Sequence, residues 1–113
     1  MSDSCIFCRI VAGTIPSTVV AANSHAVAFR DLHPQAPVHV LVIPRRHVAS
    51  LAVADDPSEL GHLLALAAEV ARAEGVADSG YRVVTNIGDE GGQTVGHLHL
   101  HVLGGRQMTW PPG

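Results

Sequence analysis

The sequence is short of what several classes of protein require. Aromatic residues are few, and no long basic run occurs; Arg45-Arg46 is the single basic pair. The formal net charge is -3. Affinity for a nucleic-acid polymer rests on many Lys and Arg contacts to phosphate, so a polymer is not an expected partner. A single small phosphate compound is still compatible with this charge. The opening Met1-Ser2-Asp3-Ser4 lacks the positive start of a secretory signal. Residues 10–29 contain no Asp, Glu, Lys or Arg, yet Gly13, Pro16, Asn23 and His25 interrupt them, so no membrane span is read there. A cytoplasmic protein is expected. Its two cysteines are then expected as reduced thiols or metal ligands rather than a disulfide. Repeats, low-complexity segments and linkers are also missing, which leaves one domain over residues 1–113. Val, Ala and Leu dominate, as in an ordinary globule. So small a domain hides only about two thirds of its unfolded surface. A metal or a partner subunit would add stability.

What is present sorts into short elements. Residues 5–12 predict a short helix, ended by Gly13 and Pro16. Residues 18–22 and 25–30 predict a hairpin turning at Asn23-Ser24. Residues 38–43 are apolar on both alternating faces except at His39, as in a buried strand. The strongest helix signal covers residues 57–74. Asp56 is its N-cap, Pro57 its first residue, Glu59 the expected capping-box partner and Gly75 its terminator. Leu60, Leu63, Leu64, Ala67, Val70 and Ala71 recur on one face. Residues 81–87 and 97–103 read as strands separated by a glycine-rich loop. Strands dominate without regular alternation with helices, which predicts an α+β fold with an antiparallel sheet.

The final predicted strand carries His97-Leu98-His99-Leu100-His101. Alternation along a strand points the three imidazoles one way and Leu98, Leu100 and Val102 into the core. One reading is an amphipathic strand whose polar face uses histidine. A solvated face more often carries Thr, Lys, Glu or Ser. The other reading is a site. Imidazole titrates at about 6.5, so much of it is neutral and nucleophilic at neutral pH. If His99 donates Nδ1–H to a backbone carbonyl, its Nε2 is the lone-pair nitrogen that attacks. His101 would then donate to a phosphate oxygen or a leaving group. The preceding Asp89-Glu90-Gly91-Gly92-Gln93-Thr94 is either a flexible connection or a backbone cradle for an anion. His39 is either a satisfied core histidine or a member of the same site.

Cys5 and Cys8 form Cys-x-x-Cys. A redox pair normally follows a strand and opens a helix, and no strand fits before Cys5. Two buried apolar cysteines, or half of a Cys2His2 metal site, are the other readings.

Together these segments resemble the histidine triad family, and within it the Hint branch of nucleoside phosphoramidases. The resemblance is carried by His97-Leu98-His99-Leu100-His101-Val102-Leu103, by Ile6-Phe7, by Asp31 with Pro34-Gln35-Ala36-Pro37, and by His39-Val40-Leu41-Val42-Ile43-Pro44. Gly91-Gly92-Gln93 and the tail Gly104-Gly105-Arg106-Gln107-Met108 with Trp110-Pro111-Pro112-Gly113 extend it over nearly the whole chain.

The resemblance implies a five-stranded antiparallel sheet with one long and one short helix, continued across a homodimer. It implies hydrolysis of purine nucleoside 5′-phosphoramidates, such as adenosine 5′-phosphoramidate or lysyl-adenylate-type (aminoacyl-adenylate-type) adducts, through a covalent nucleotidyl-His99, with His101, His39 and His97 assisting. Asn86, Gly92, Gln93 and Thr94 would hold phosphate oxygens or the leaving group. Asp31 would accept from the ribose. Leu32, Phe7, Ile10, Ile15 and Phe29 would form the base pocket, and Trp110 would bind nucleotide from a tail that is either disordered or reaches the partner's pocket. No metal is needed for the chemical step. Some bacterial members carry zinc, and the four ligand positions match Cys5, Cys8, His47 and His97; such a site would be closed and structural. His97 would then bind zinc through its ring while its carbonyl orients His99. Two departures stand out: Thr94 replaces the serine of animal members, and Gly96 replaces a large residue. Cleavage of dinucleoside polyphosphates, and a non-catalytic zinc- or nucleotide-binding module, are the competing functions.

Overall fold

The structure is a computed structural model that describes residues 4–113. Of the opening segment read above for a leader, Met1, Ser2 and Asp3 lie outside the described residues. Helix α1 spans Ile6–Ala12. Cys5 is its N-cap, accepting from the Cys8 N–H through sulfur at 3.4 Å. Gly13 ends it with φ 75°, a left-handed conformation that costs glycine little. Strands β1 (Val19–Ala22) and β2 (Ala26–Arg30) form the expected hairpin. The Asn23 carboxamide oxygen closes the turn, accepting from the N–H groups of His25 and Ala26 at 2.8 Å each.

Strand β3 is Val38–Pro44, β4 is Tyr81–Val84 and β5 is Leu100–Gly104. They complete a five-stranded antiparallel sheet in the order β1-β2-β3-β5-β4. Helix α2, Pro57–Ala73, starts at Asp56, whose carboxylate accepts from the N–H groups of Ser58 and Glu59. The capping box is not formed. Glu59 is buried and its carboxylate holds Arg46 instead, at 2.9 Å. The buried face of α2 is also displaced from the sequence expectation. Leu66 is fully buried, whereas Leu64 is 57% exposed. Among the described residues no helix is long and apolar enough to cross a membrane.

The sheet separates two apolar layers. On one face α2 packs Leu63, Leu66, Ala67 and Val70 onto Ala26, Ala28, Val40, Val42, Leu100 and Val102. On the other, Phe7 of α1 packs onto Val27, Phe29, Leu41 and Ile43. Burying each large side chain contributes about 1.5–3 kcal/mol. Helix α1 is short and roofs only the β2–β3 side of its face, leaving the β5–β4 side for the C-terminal tail.

Two strand expectations need correcting. The strand predicted over residues 81–87 stops at Val84, and beyond it the Thr85 hydroxyl donates to the His99 carbonyl at 2.8 Å. The strand predicted over residues 97–103 begins at Leu100. His97, Leu98 and His99 leave the ladder, and the Leu98 N–H bonds to the Val48 carbonyl instead. Leu98 nevertheless joins Leu100 and Val102 in the α2 layer.

Candidate active site

The departure of residues 97–99 from the ladder divides the three histidines between two tasks. His99 and His101 stay together, with ring centroids 5.0 Å apart. The ring of His97 is completely buried and faces the cysteines. Its backbone carbonyl accepts from His99 Nδ1 at 2.7 Å. A carbonyl only accepts, so Nδ1 of His99 carries the proton and Nε2 of the neutral ring keeps the lone pair. The carbonyl that orients His99 is therefore that of His97.

A second chain of hydrogen bonds sets His101. The Gln35 N–H donates to His39 Nδ1 at 3.0 Å. That nitrogen must be the lone-pair one, so His39 carries its proton on Nε2. Nε2–H donates to His101 Nδ1 at 2.9 Å. His101 accordingly presents Nε2–H as a donor. Asp31 Oδ2 lies 3.4 Å from His39 Nε2, and its Oδ1 accepts from the His33 N–H at 2.8 Å. Gln35 enters through a backbone group, and no side-chain pattern announces it.

Burial pushes the His101 imidazole down to about 4, helped by the neighbouring His99 and His39 and opposed by Asp31. Burial also lowers His39 and His97, against the opposing Asp31 carboxylate and Pro44 carbonyl respectively. These rings bind protons more weakly folded than unfolded. As the pH falls, the unfolded chain is protonated first. Their contribution to stability is full above about 6.5 and declines as the pH drops toward 4. The thermal midpoint is expected to fall progressively between pH 6.5 and 4.5; a midpoint that held steady or rose over that range would contradict this.

A cavity of about 340 Å³ opens beside His99 and His101. Phe7, Ile10 and Phe29 give it apolar walls, and Asp31, Leu32 and Thr94 stand around it. The remaining residues named from the sequence lie elsewhere. Ile15 is half-buried outside the lining, and Trp110 is 83% exposed in the tail. Asn86 donates to the Gly91 carbonyl at 2.7 Å and faces a second cavity beyond His101. Gln93 braces the chain, its Nε2 donating to the carbonyls of Ala49 and Val95. The glycine-rich loop closes on itself: Gly92 N–H bonds to Asp89, Gln93 N–H to Gly88, and Gly88 N–H to the Gln93 side chain. Those donors are thus engaged within the loop. A Cβ at Gly91 would stand 2.1 Å from the Ile87 carbonyl oxygen, so only glycine fits there.

Cys5, Cys8, His47 and His97 bring their ligand atoms within 4.8 Å of one another. His97 Nε2–H donates to the Pro44 carbonyl at 3.0 Å, which leaves Nδ1 as the lone pair facing the sulfurs of Cys5 and Cys8 at 3.3 and 3.6 Å. His47 Nδ1 lies 3.2 Å from Cys8 Sγ. Two thiols and two imidazoles converging in this way could hold a metal ion. Asp31, His39 and His101 also cluster within 4.8 Å. There the Gln35 N–H forces the proton onto His39 Nε2, so that nitrogen has no lone pair to offer a metal. Phe7 joins the two regions, its ring edge-on to both His97 and His99 at centroid distances of 5.8 and 5.2 Å.

The profile of the HIT domain matches residues 12–108. The chain belongs to the HIT domain family. This HIT protein is 50% identical to an uncharacterized HIT-like protein of Synechococcus elongatus, over 100% of both chains. Its structure superposes on a HIT family hydrolase from Legionella pneumophila with a TM-score of 0.94, at 50% identity, covering 97% of this chain and 100% of that one. A histidine triad protein from Clostridium difficile gives 0.92 at 40% identity, covering 96% of each chain. The HIT fold accounts for the five-stranded antiparallel sheet and the two helices.

Proposed function

We propose that this HIT protein is a hydrolase of purine nucleoside 5′-phosphoramidates that works through a covalent nucleotidyl-His99. The observation that carries this reading is the 2.7 Å bond from His99 Nδ1–H to the His97 carbonyl, which leaves Nε2 as a nucleophile beside an apolar cavity. The purine would lie between Phe7, Ile10, Phe29 and Leu32, with Asp31 accepting from the ribose. Nε2 attacks phosphorus, the P–N bond breaks, and its electron pair leaves with nitrogen, which takes one proton from solvent. Water then attacks phosphorus, the P–Nε2 bond breaks, and the attacking water returns one proton. His101 Nε2–H, held in that tautomer by His39, donates to the phosphoryl oxygens as charge develops on them. Thr94 offers a hydroxyl at the same place.

The Cys5, Cys8, His47 and His97 group fits a structural zinc ion, by donor set and convergence. When bound, zinc would tie α1 to the chain after β3 and to His97. It would supply cohesion rather than chemistry. A reducing compartment suits thiol ligands. β4 lies at an edge of the sheet, with Tyr81 and Val83 38% and 37% exposed, and pairing there with a second copy would continue the sheet across a homodimer.

The deciding experiment is acid or rapid quenching during turnover of adenosine 5′-phosphoramidate, followed by mass spectrometry. An added adenylyl mass on the peptide containing His99 is expected. Turnover without any adduct at His99 would reject the covalent route.

A further inference from the structure

We propose that Thr85 is a positioning residue for the nucleophile: its hydroxyl holds the backbone of His99 at the point where the sheet no longer does. This rests on the reading of His99 as the attacking group.

The ladder reaches the nucleophile from neither side. The β3–β5 pairing ends with Val42 opposite Leu100, and the β4–β5 pairing ends with Val84 opposite His101. Continued, these registers would set Ile43 and Asn86 on either side of His99, and neither pair forms. Pro44, next along β3, has no N–H to give a ladder. Other bonds fix the segment instead. The Leu98 N–H donates to the Val48 carbonyl at 2.6 Å, and the His97 ring to the Pro44 carbonyl at 3.0 Å. Both of these act before His99 in the chain. At His99 itself the backbone carbonyl accepts from Thr85 Oγ1 at 2.8 Å. A carbonyl only accepts, so the hydroxyl is the donor. Thr85 is half-buried, which shields the bond in part from competing water.

That bond completes the control of Nε2. The imidazole is pinned at Nδ1 by the His97 carbonyl at 2.7 Å, and its attachment to the chain is pinned by Thr85. With both ends held, the ring has one placement beside the apolar cavity. With the carbonyl released, the residue before β5 is free to rotate. The Nδ1 bond then weakens and Nε2 drifts from its line of attack. A misplacement of about 1 Å at a reacting centre can cost about 100-fold in rate. Losing one of several tethers allows part of that displacement, so about tenfold is expected. Phe7, Ile10 and Phe29, which wall the cavity, come from α1 and β2, two strands away from β5. Nucleotide affinity is therefore left in place.

The test is Thr85→Val, which keeps the shape and removes the hydroxyl, beside Thr85→Ser, which keeps the hydroxyl and removes the methyl. With adenosine 5′-phosphoramidate, Thr85→Val should lower kcat and the single-turnover rate of His99 adduct formation by about tenfold. Its Kd for AMP, from calorimetric titration, should stay within about twofold of the wild-type value. Thr85→Ser should stay within about threefold of the wild type in all three quantities. A packing role alone predicts the reverse order of the two variants. Wild-type adduct formation in a folded Thr85→Val protein overturns the proposal, and so does a loss as large in Thr85→Ser. If Thr85→Val does not fold, Thr85→Ala against Thr85→Ser carries the same comparison. The His99 ring, followed in long-range proton–nitrogen correlation spectra, gives a readout that needs no turnover. The wild type should show one tautomer with the proton on Nδ1, and Thr85→Val should show exchange with the Nε2–H form. An unchanged ring spectrum overturns the tether. If the wild-type protein hydrolyses no phosphoramidate, the phosphoramidase reading falls, and the ring spectrum still decides whether Thr85 holds His99.

Discussion

Replacing His99 by alanine is expected to lower kcat by at least about 10³-fold and to remove the covalent adduct. The size follows from the role. Without the imidazole, water must displace the amine in one difficult step, and the remaining donors only stabilise charge on phosphate. His101 keeps its tautomer in this variant, because that depends on His39 and the Gln35 N–H rather than on His99. Phe7, Phe29 and Asp31 also remain, so nucleotide binding should persist while turnover stops. Calorimetric titration with AMP beside a turnover assay separates the two effects. Retained turnover in a folded His99→Ala protein would sink the mechanism.

The second large effect is expected at Cys8. Cys8→Ser should reduce the zinc content of the purified protein from one ion per chain to near zero. It should also lower the thermal midpoint by about 10 °C or more. Cys8 is buried in α1, facing the ring nitrogens of His47 and His97. A serine hydroxyl is a poor ligand for zinc, and the three remaining side chains would lose the ion that draws them together. Structural zinc contributes on the order of 10 kcal/mol in small zinc-built domains, and even a fraction of that is large for a chain of 113 residues. Metal analysis with thermal denaturation checks both parts. A Cys8→Ser protein that retained one zinc per chain would exclude this site.

The features legible in the sequence are those decided locally. Asn23 closes its turn through its own neighbours, and Asp56-Pro57 opens α2 through the first free N–H groups. The buried strand around His39 and the pairing of His99 with a backbone carbonyl were likewise readable, because alternation and imidazole chemistry constrain them. What could not be read depends on distant chain. His97 lies outside the strand, its ring donating to the carbonyl of Pro44, 53 residues away. The loop at residues 88–93 has the composition of an anion cradle, but the bond that anchors it, from the Gln93 side chain to the Ala49 carbonyl, depends on chain 44 residues away. Glu59 has the spacing of a capping box, but Arg46 offers a stronger, charged partner. In a helix this rich in Ala and Leu the apolar arc is broad. Spacing alone does not choose between Leu64 and Leu66, and packing on the sheet does. Thr85 is unremarkable in the chain. Its hydroxyl meets the carbonyl of His99, 14 residues on, once β4 pairs beside β5.

Phe7 has its ring edge-on to a would-be zinc ligand on one side and to the nucleophile on the other, and it also walls the apolar cavity. Anything that steadies α1 from the cysteine end therefore steadies the surface a purine would rest on. By thermodynamic reciprocity the two ligands would reinforce one another: an ion that strengthens nucleotide affinity by some factor is itself retained more tightly, by the same factor, whenever nucleotide is bound.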